Sequence, residues 1–448
     1  MVAPAKSRRK SGPAASTALG SRRAALDILA SVLDRARPLD EAIEAAFKRV
    51  TIEPRDRAFA RLLAVTTVRR LGQIDDAIGR LTTTRSQLRP PALMHVLRLG
   101  AAQLLFLETP PHAAVATAVD LADAVGLGRG KALVNAVLRR LSLEGPAIIA
   151  EQDASRLNMP GWLCQRWIQT YGEEKTRQIA AQHLVEPPLD LTLKPSESAE
   201  TWAAALGATV LPNGTLRRPV GGRIEELPGF SEGVWWVQDF AASLPARLLG
   251  DIAGKIVFDL CAAPGGKTAQ LAAAGAKVTA IDRSAQRLDT VRRNLERLGL
   301  SATLITADAL VWTPSGGAMA DAVLLDAPCT ATGTIRRHPD IPLTKKPEDL
   351  VQLVRLQAEL LDRAARLVRP GGTLVYCTCS LEPDEGEMQI ARLLANRPEL
   401  SRRPIEASEI GDLSELINRN GDLRTLPFHL SEQGGMDGFF ASRLVRKE

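Results

Sequence analysis

The chain has 448 residues, 45% of them hydrophobic and 24% charged, enough for two or three domains with cores of their own. A formal charge of +6 and a pI near 9.2 suit a polyanionic partner. No apolar run is long enough to span a membrane, and five cysteines (164, 261, 329, 377 and 379) in so long a chain argue against a disulfide framework and for a reducing cytoplasm.

The chain opens on Lys6, Arg8, Arg9 and Lys10 with no acid among its first 23 residues. Residues 1–20 read as a disordered basic tail, since no arginine-rich apolar face emerges to make them a transit peptide. From Arg22 to Leu143 the pattern is helical throughout. Ala25, Ile28, Leu29, Val32 and Leu33 fall on one helix face, and similar stripes run through Phe59–Val68, Leu93–Leu107, Ala113–Val125 and Ala132–Leu141. This predicts an all-α domain over 21–145.

Residues 146–250 read as a small α+β domain. Trp162–Tyr171 and Glu173–His183 have helical spacing, Leu189–Lys194 alternates like a strand, and Pro212-Asn213-Gly214 marks a turn. From 251 to 448 strands and helices alternate. Ile256–Leu260, Lys277–Ile281, Thr303–Ala307, Ala322–Asp326, Thr373–Thr378 and Gly438–Val445 read as strands. Thr268–Ala274, Ala285–Leu298 and Leu350–Val368 read as helices. Such alternation predicts a Rossmann-like α/β domain with a mostly parallel sheet, whose ligands bind at the carboxyl ends of the strands.

The first strand runs into Cys261-Ala262-Ala263-Pro264-Gly265-Gly266-Lys267-Thr268. Two glycines let the backbone approach a ligand, and a helix start offers free N–H groups. The spacing is neither G-x-G-x-x-G nor the phosphate-cradling G-x-x-x-x-G-K-[ST], which would need glycine at Cys261. Asp259, Asp282, Asp308 and Asp326 close four successive strands. A carboxylate at Asp282 is placed for ribose hydroxyls, one at Asp308 for an adenine amino group, and Asp326 for the reaction centre. The set suits a ribose-bearing cation such as S-adenosylmethionine, although any one such acid could instead cap a turn.

Two strand ends carry thiols, in Asp326-Ala327-Pro328-Cys329 and Thr378-Cys379-Ser380. Carbon 5 of a pyrimidine is too weak a nucleophile to take a methyl group unaided. A thiolate adding to carbon 6 makes carbon 5 reactive, and a carboxyl group at the ring edge steadies the charge. Spacing leaves open which thiol attacks. Cys377, Cys164 and Cys261 read, as nucleophile candidates, as buried small hydrophobes. Cys377 and Cys379 form a C-x-C without a second cysteine pair, so no metal is expected. Arg336-Arg337-His338, Arg69-Arg70 and Arg139-Arg140 could neutralise phosphates, or simply form solvated basic faces.

These residues together resemble the RsmB/Nop2/Sun family of RNA 5-methylcytosine methyltransferases. The matching stretches are Asp259 through Thr268, Ala280-Ile-Asp-Arg283 with Arg287, Asp326-Ala-Pro-Cys329, Thr378-Cys-Ser380 and Gly438-Phe-Phe440. The run Ala331-Thr-Gly-Thr-Ile-Arg-Arg-His-Pro-Asp340 is most similar to the bacterial RsmB branch. Arg23-Ala-Ala-Leu-Asp-Ile-Leu29, Pro111-His-Ala-Ala-Val115 and Val134-Asn-Ala-Val-Leu-Arg139 resemble the NusB-like RNA-binding fold that precedes the catalytic part there. Two stretches depart: Leu191-Thr-Leu-Lys-Pro195 stands where the family has Arg-x-Asn, and Cys377 precedes Thr378 where a non-thiol is usual.

The resemblance implies a cofactor site at Cys261 to Lys267, Asp282, Arg287, Asp308 and Asp326. It implies Cys379 as the nucleophile, Cys329 as the helper in product release, and Asp326 as the contact to the base. The cofactor is then S-adenosylmethionine and the partner RNA, most often small-subunit ribosomal RNA, with no membrane and no obligate protein partner. An RNA-binding scaffold with a dead cofactor fold would not need both thiols. An amino-group methyltransferase would want Asn/Asp-Pro-Pro-aromatic in place of Asp-Ala-Pro-Cys.

Overall fold

A computed structural model describes residues 13–82 and 89–448. Contacts divide the chain into two compact units: residues 1–184 with 338–344, and residues 185–337 with 345–448. The stretch expected as a middle domain, 146–250, is thus shared between them at Leu184. Most of the expected basic tail lies outside the described residues, but helix begins at Pro13, inside that expectation.

The first unit is helical. Its elements are α1 (Pro13–Arg35), α2 (Leu39–Arg49), α3 (Pro54–Arg69), α4 (Leu71–Leu81), α5 (Pro91–Leu105), α6 (Pro111–Ala124), α7 (Lys131–Glu151), α8 (Ala154–Leu157), α9 (Gly161–Tyr171) and α10 (Glu173–His183). Prolines at the first positions of α3, α5 and α6 start those helices where a missing N–H costs nothing. Ala25, Ile28, Leu29 and Val32 of α1 bury into one core with Leu63, Ile74, Leu97, Leu121 and Leu138. The segment 338–344 serves this unit as a cap. Pro38 offers α2 no side-chain cap, and Asp340 accepts the Leu39 N–H at 3.0 Å instead.

The second unit holds two sheets. The smaller comprises β1 (Leu189–Leu193), β2 (Thr209–Val210), β3 (Leu216–Arg218) and β4 (Trp235–Val237), in the antiparallel order β2-β3-β1-β4, with α11 (Ala199–Leu206) and α12 (Phe240–Arg247). The larger contains β5 (Ile256–Leu260), β6 (Lys277–Asp282), β7 (Thr303–Thr306), β8 (Ala320–Asp326), β9 (Val368–Thr378), β10 (Leu400–Arg402), β11 (Leu423–Thr425) and β12 (Phe439–Arg446). Their order is β10-β12-β9-β8-β5-β6-β7, with β11 paired to β12. Strands β9, β8, β5, β6 and β7 are parallel, and β12 enters antiparallel.

Alternation places each strand's residues on opposite faces. Val257, Ala322, Leu324, Val375 and Cys377 join one core cluster. Phe258, Leu260, Val323, Leu325, Leu374 and Tyr376 join the other. Covering the sheet are α13 (Gly266–Ala273), α14 (Ala285–Leu298), α16 (Pro347–Leu367) and α17 (Glu387–Asn396), while α15 (Ile341–Thr344) belongs to the first unit. Ser284 caps α14, Gly299 closes it in the left-handed region, and Leu288, Val291, Leu295 and Leu298 form its buried stripe. The chain runs outward from β5 to β6 and β7, then returns to place β8 on β5's other side. The crevice at that reversal opens at the carboxyl ends of β5 and β8.

Candidate active site

The turn after β5 is built tightly. Gly265 has φ +100°, and a Cβ there would meet Val291 at 2.9 Å, so glycine is required by conformation and space alike. Gly266 starts α13 with room for a Cβ, and its expected role in close approach is not one the packing demands. Asp282, at the end of β6, accepts from the Ala263 N–H at 3.2 Å and the Ser284 N–H at 2.9 Å. Arg287 hydrogen-bonds the Ala263 carbonyl and lies 3.7 Å from Asp282. These two residues shape the loop. Asp308 lies exposed beyond β7, accepting from the Leu310 N–H at 2.9 Å.

Asp259 departs from the sequence reading. It lies inside β5, fully buried, and accepts from the Thr268 hydroxyl at 2.6 Å, so it ties the turn from beneath. Its other carboxylate oxygen has no hydrogen-bond partner, and burial pushes its pKa up to about 7. Cys261 is raised to about 12 by burial and the carboxylates of Asp326, Asp282 and Asp259, so it stays a thiol.

Lys267 reaches from α13 to Asp326 at the end of β8, Nζ to Oδ2 at 2.8 Å, with the Phe439 ring 4.9 Å from its ammonium. Burial opposes its charge, but the Asp326 carboxylate carries its pKa above the ordinary lysine value. Cys377 is fully buried, with its S–H directed at Asp326 Oδ1 at 3.5 Å, and burial holds it protonated. It is a packing thiol that borders the site.

Cys379 stands one residue beyond β9, and its sulfur lies 3.4 Å from that of Cys329, fifty positions earlier in the chain. The contact with Cys379, then burial, push Cys329 well above a normal thiol, so Cys329 holds its own proton. The structure therefore brings Cys329 and Cys379 together, beside Asp326 at the end of β8 and its partner Lys267 in the first turn of α13.

Sequence reasoning missed what holds the thiols. Thr330 and Ser380, each next to one of them, are buried and converge on Glu385. Glu385 sits in the acidic run Glu382-Pro-Asp-Glu-Gly-Glu387, which reads as a solvated loop; its closeness to Cys379 in sequence was the available signal.

Arg336 and Arg337 are corrected from phosphate contacts to internal supports. Arg337 pairs with Asp239 at 2.6 Å and Asp437 at 3.0 Å; Arg336, 1% exposed, bonds the Gly434 carbonyl. Asp190 and Arg217, facing partners on β1 and β3, extend this buried cluster at 2.7 Å. His338 faces Asp40 at 3.3 Å within the helical unit. Arg70 bonds the Leu184 carbonyl and Arg140 pairs with Glu144 at 3.0 Å.

The sequence profile of the 16S rRNA methyltransferase RsmB/F family matches residues 246–445, and that of the NusB family residues 20–142. A probable ribosomal RNA small subunit methyltransferase B from Synechocystis sp. is 35% identical over 452 residues, covering 96% of this chain and all of that one. The chain belongs to the RsmB/F family. The family's enzyme B from Pseudomonas putida is also 35% identical, covering 96% of this chain and 99% of its own. A solved methyltransferase homologue from Pyrococcus horikoshii is 27% identical with a TM-score of 0.53, over 65% of this chain and 97% of that one.

RsmB/F enzymes methylate RNA with S-adenosylmethionine as donor. The residues present fit it. A glycine-dependent turn leaves a backbone cradle, and carboxylates at the ends of β6, β7 and β8 match a ligand bearing hydroxyls, amino groups and a positive sulfur. No described helix is long and apolar enough to cross a membrane.

Proposed function

We propose that this RsmB/F member methylates carbon 5 of a cytosine in small-subunit ribosomal RNA, in the cytoplasm, through a transient bond between Cys379 and the base. The observation that carries this reading is the 3.4 Å approach of the Cys329 and Cys379 sulfurs beside the Asp326–Lys267 pair. Cys261 to Lys267, Asp282, Asp308 and Asp326 would hold S-adenosylmethionine, which supplies an electrophilic methyl group when bound.

The thiolate of Cys379 adds to carbon 6, and the electrons of the carbon 5–carbon 6 double bond shift toward carbon 5 and the ring. Asp326 hydrogen-bonds the ring edge and Lys267 offsets the charge that develops there. Once carbon 5 carries the methyl group, its proton leaves to solvent, the double bond re-forms and the carbon 6–sulfur bond breaks. Cys329 assists that departure by donating its S–H to the leaving sulfur. The base must be unstacked to reach the thiol, and the NusB-like residues 21–145 supply RNA affinity through shape and backbone contacts.

Incubating the protein and S-adenosylmethionine with transcript containing 5-fluorocytosine tests this, because fluorine cannot leave as a proton does. Mass spectrometry should find a stable RNA adduct on Cys379. Turnover without any adduct on a cysteine would refute the covalent route.

A further inference from the structure

Glu385 is fully buried just beyond β9, and every side-chain contact it makes is with a donor. The Thr330 N–H donates to both carboxylate oxygens, at 2.9 and 3.2 Å, and the Thr330 hydroxyl donates to one of them. The Ser380 hydroxyl donates at 2.5 Å, and the Gln357 amide at 2.8 Å. Gln357 also donates to the Pro328 carbonyl at 2.9 Å and is itself braced by Gln389 at 3.3 Å.

The positions of these donors are what matter. Thr330 follows Cys329, Pro328 precedes it, and Ser380 follows Cys379. One carboxylate therefore grips the neighbours of both thiols. Its own backbone is anchored to β9, since the Tyr376 hydroxyl donates to the Glu385 carbonyl at 2.7 Å. A buried carboxylate held by four donors through five hydrogen bonds has no freedom to move unless several bonds break together. Apolar packing alone would not fix a sulfur-to-sulfur approach between two loops.

We infer that Glu385 is a positioning residue for the methyl-transfer reaction, locking the Cys329 and Cys379 loops in register. This rests on the function proposed above. The titratable and charged groups facing this corner are Cys329, Cys379, Tyr376 and Arg424, the last through the Ser380 carbonyl at 2.6 Å. Cys329 is raised first by its contact with Cys379 and by burial, and the Glu385 carboxylate adds to that rise. Burial pushes its own carboxyl up, and the hydrogen bonds from Ser380, Thr330 and Gln357 oppose that rise.

The test uses Glu385→Gln in the full chain, with small-subunit rRNA from cells lacking the protein as substrate. Affinity for S-adenosylmethionine should stay within about twofold, and kcat should fall about 30-fold or more with KM changed less than about threefold. Without RNA, iodoacetamide labelling of Cys329 read by mass spectrometry should shift its midpoint about one pH unit lower. Glu385→Asp, which keeps the charge on a shorter arm, should leave that midpoint near wild type and recover part of kcat.

Unchanged kcat, or an unmoved midpoint, overturns the inference, because a merely structural residue would lower the melting temperature without touching either. Should Glu385→Gln fail to fold, Gln357→Ala removes a single donor and should lower kcat about fivefold with cofactor affinity retained; undiminished kcat there overturns the inference too. If wild type makes no 5-methylcytosine, the proposed function fails, yet the labelling midpoint still reports on Glu385.

Discussion

The Lys267 ammonium and the Asp326 carboxylate form a 2.8 Å ion pair that links the first turn of α13 to the end of β8. Lysine is nearly sealed, at 9% exposure, while Asp326 keeps 30%, so the carboxylate alone can turn toward a base. Lys267→Met should lower methyl transfer about 100-fold by removing the charge that the proposed reaction uses to steady the ring. Its cost in stability should stay near 2 kcal/mol, below that of a sealed pair, since Asp326 can recover water. Steady-state kinetics and denaturant unfolding check the two effects separately.

Cys379→Ala should abolish methyl transfer and leave binding of S-adenosylmethionine within about twofold, because the proposed reaction uses the thiol on the base and not on the cofactor. Calorimetry alongside a tritium-transfer assay reads both quantities. Retained turnover would assign the attack to Cys329.

Cys329→Ala should accumulate protein covalently held on RNA, since the departing sulfur loses the S–H that lies 3.4 Å away. A band shifted in denaturing gels and removed by nuclease is the expected result. Normal turnover with no such band would place product release elsewhere.

Asp259 gives stability a pH dependence of defined sign. Its pKa rises from an unfolded value near 3.8 to about 7 in the fold, through burial. The folded chain therefore holds a proton that the unfolded chain releases, and this contribution is greatest below pH 3.8 and lost as pH rises through 7. Lowering the pH from 8 to 6 should stabilise wild type by about 1 kcal/mol relative to Asp259→Asn. Urea titrations of both proteins at the two pH values check it; equal slopes would mean Asp259 ionises normally.

Arg337→Ala should destabilise the second unit by roughly 3 kcal/mol, because Asp239 and Asp437 would remain buried with their main counter-charge gone. Burial already pushes Asp437 up to about 6 with Arg337 in place. Thermal unfolding measures the loss, and a change under about 0.5 kcal/mol would show that water compensates both carboxylates.

Much of the second unit was legible in sequence. The alternation of strand and helix along the chain marked β5, β6, β8 and β9, and the helix expected over Ala285–Leu298 is α14 as found, between its Ser284 cap and Gly299. Short β10 and β11 escaped because three residues carry no periodicity, and their strand character comes from pairing with β12. The two thiols were legible as chemistry, and their contact was not, because it depends on two loops meeting across fifty positions. Asp259 and Asp282 looked alike as acids at strand ends. A single residue of difference in depth makes one a buried anchor for Thr268 and the other a brace for the Ala263 turn. Arg336 and Arg337 misled for a related reason. Residue type reveals a charge, and only the assembled fold reveals that its partners lie inside.

That interior cluster carries a consequence for how the protein meets a polyanion. Arg217, Arg336 and Arg337 are matched by Asp190, Asp239 and Asp437, so three cations and three anions offset one another, with Arg337 alone still 24% exposed. The formal +6 resides wholly on the remaining side chains. Displacement of condensed counterions on RNA, and the steepness with which affinity falls as ionic strength rises, are set by those alone.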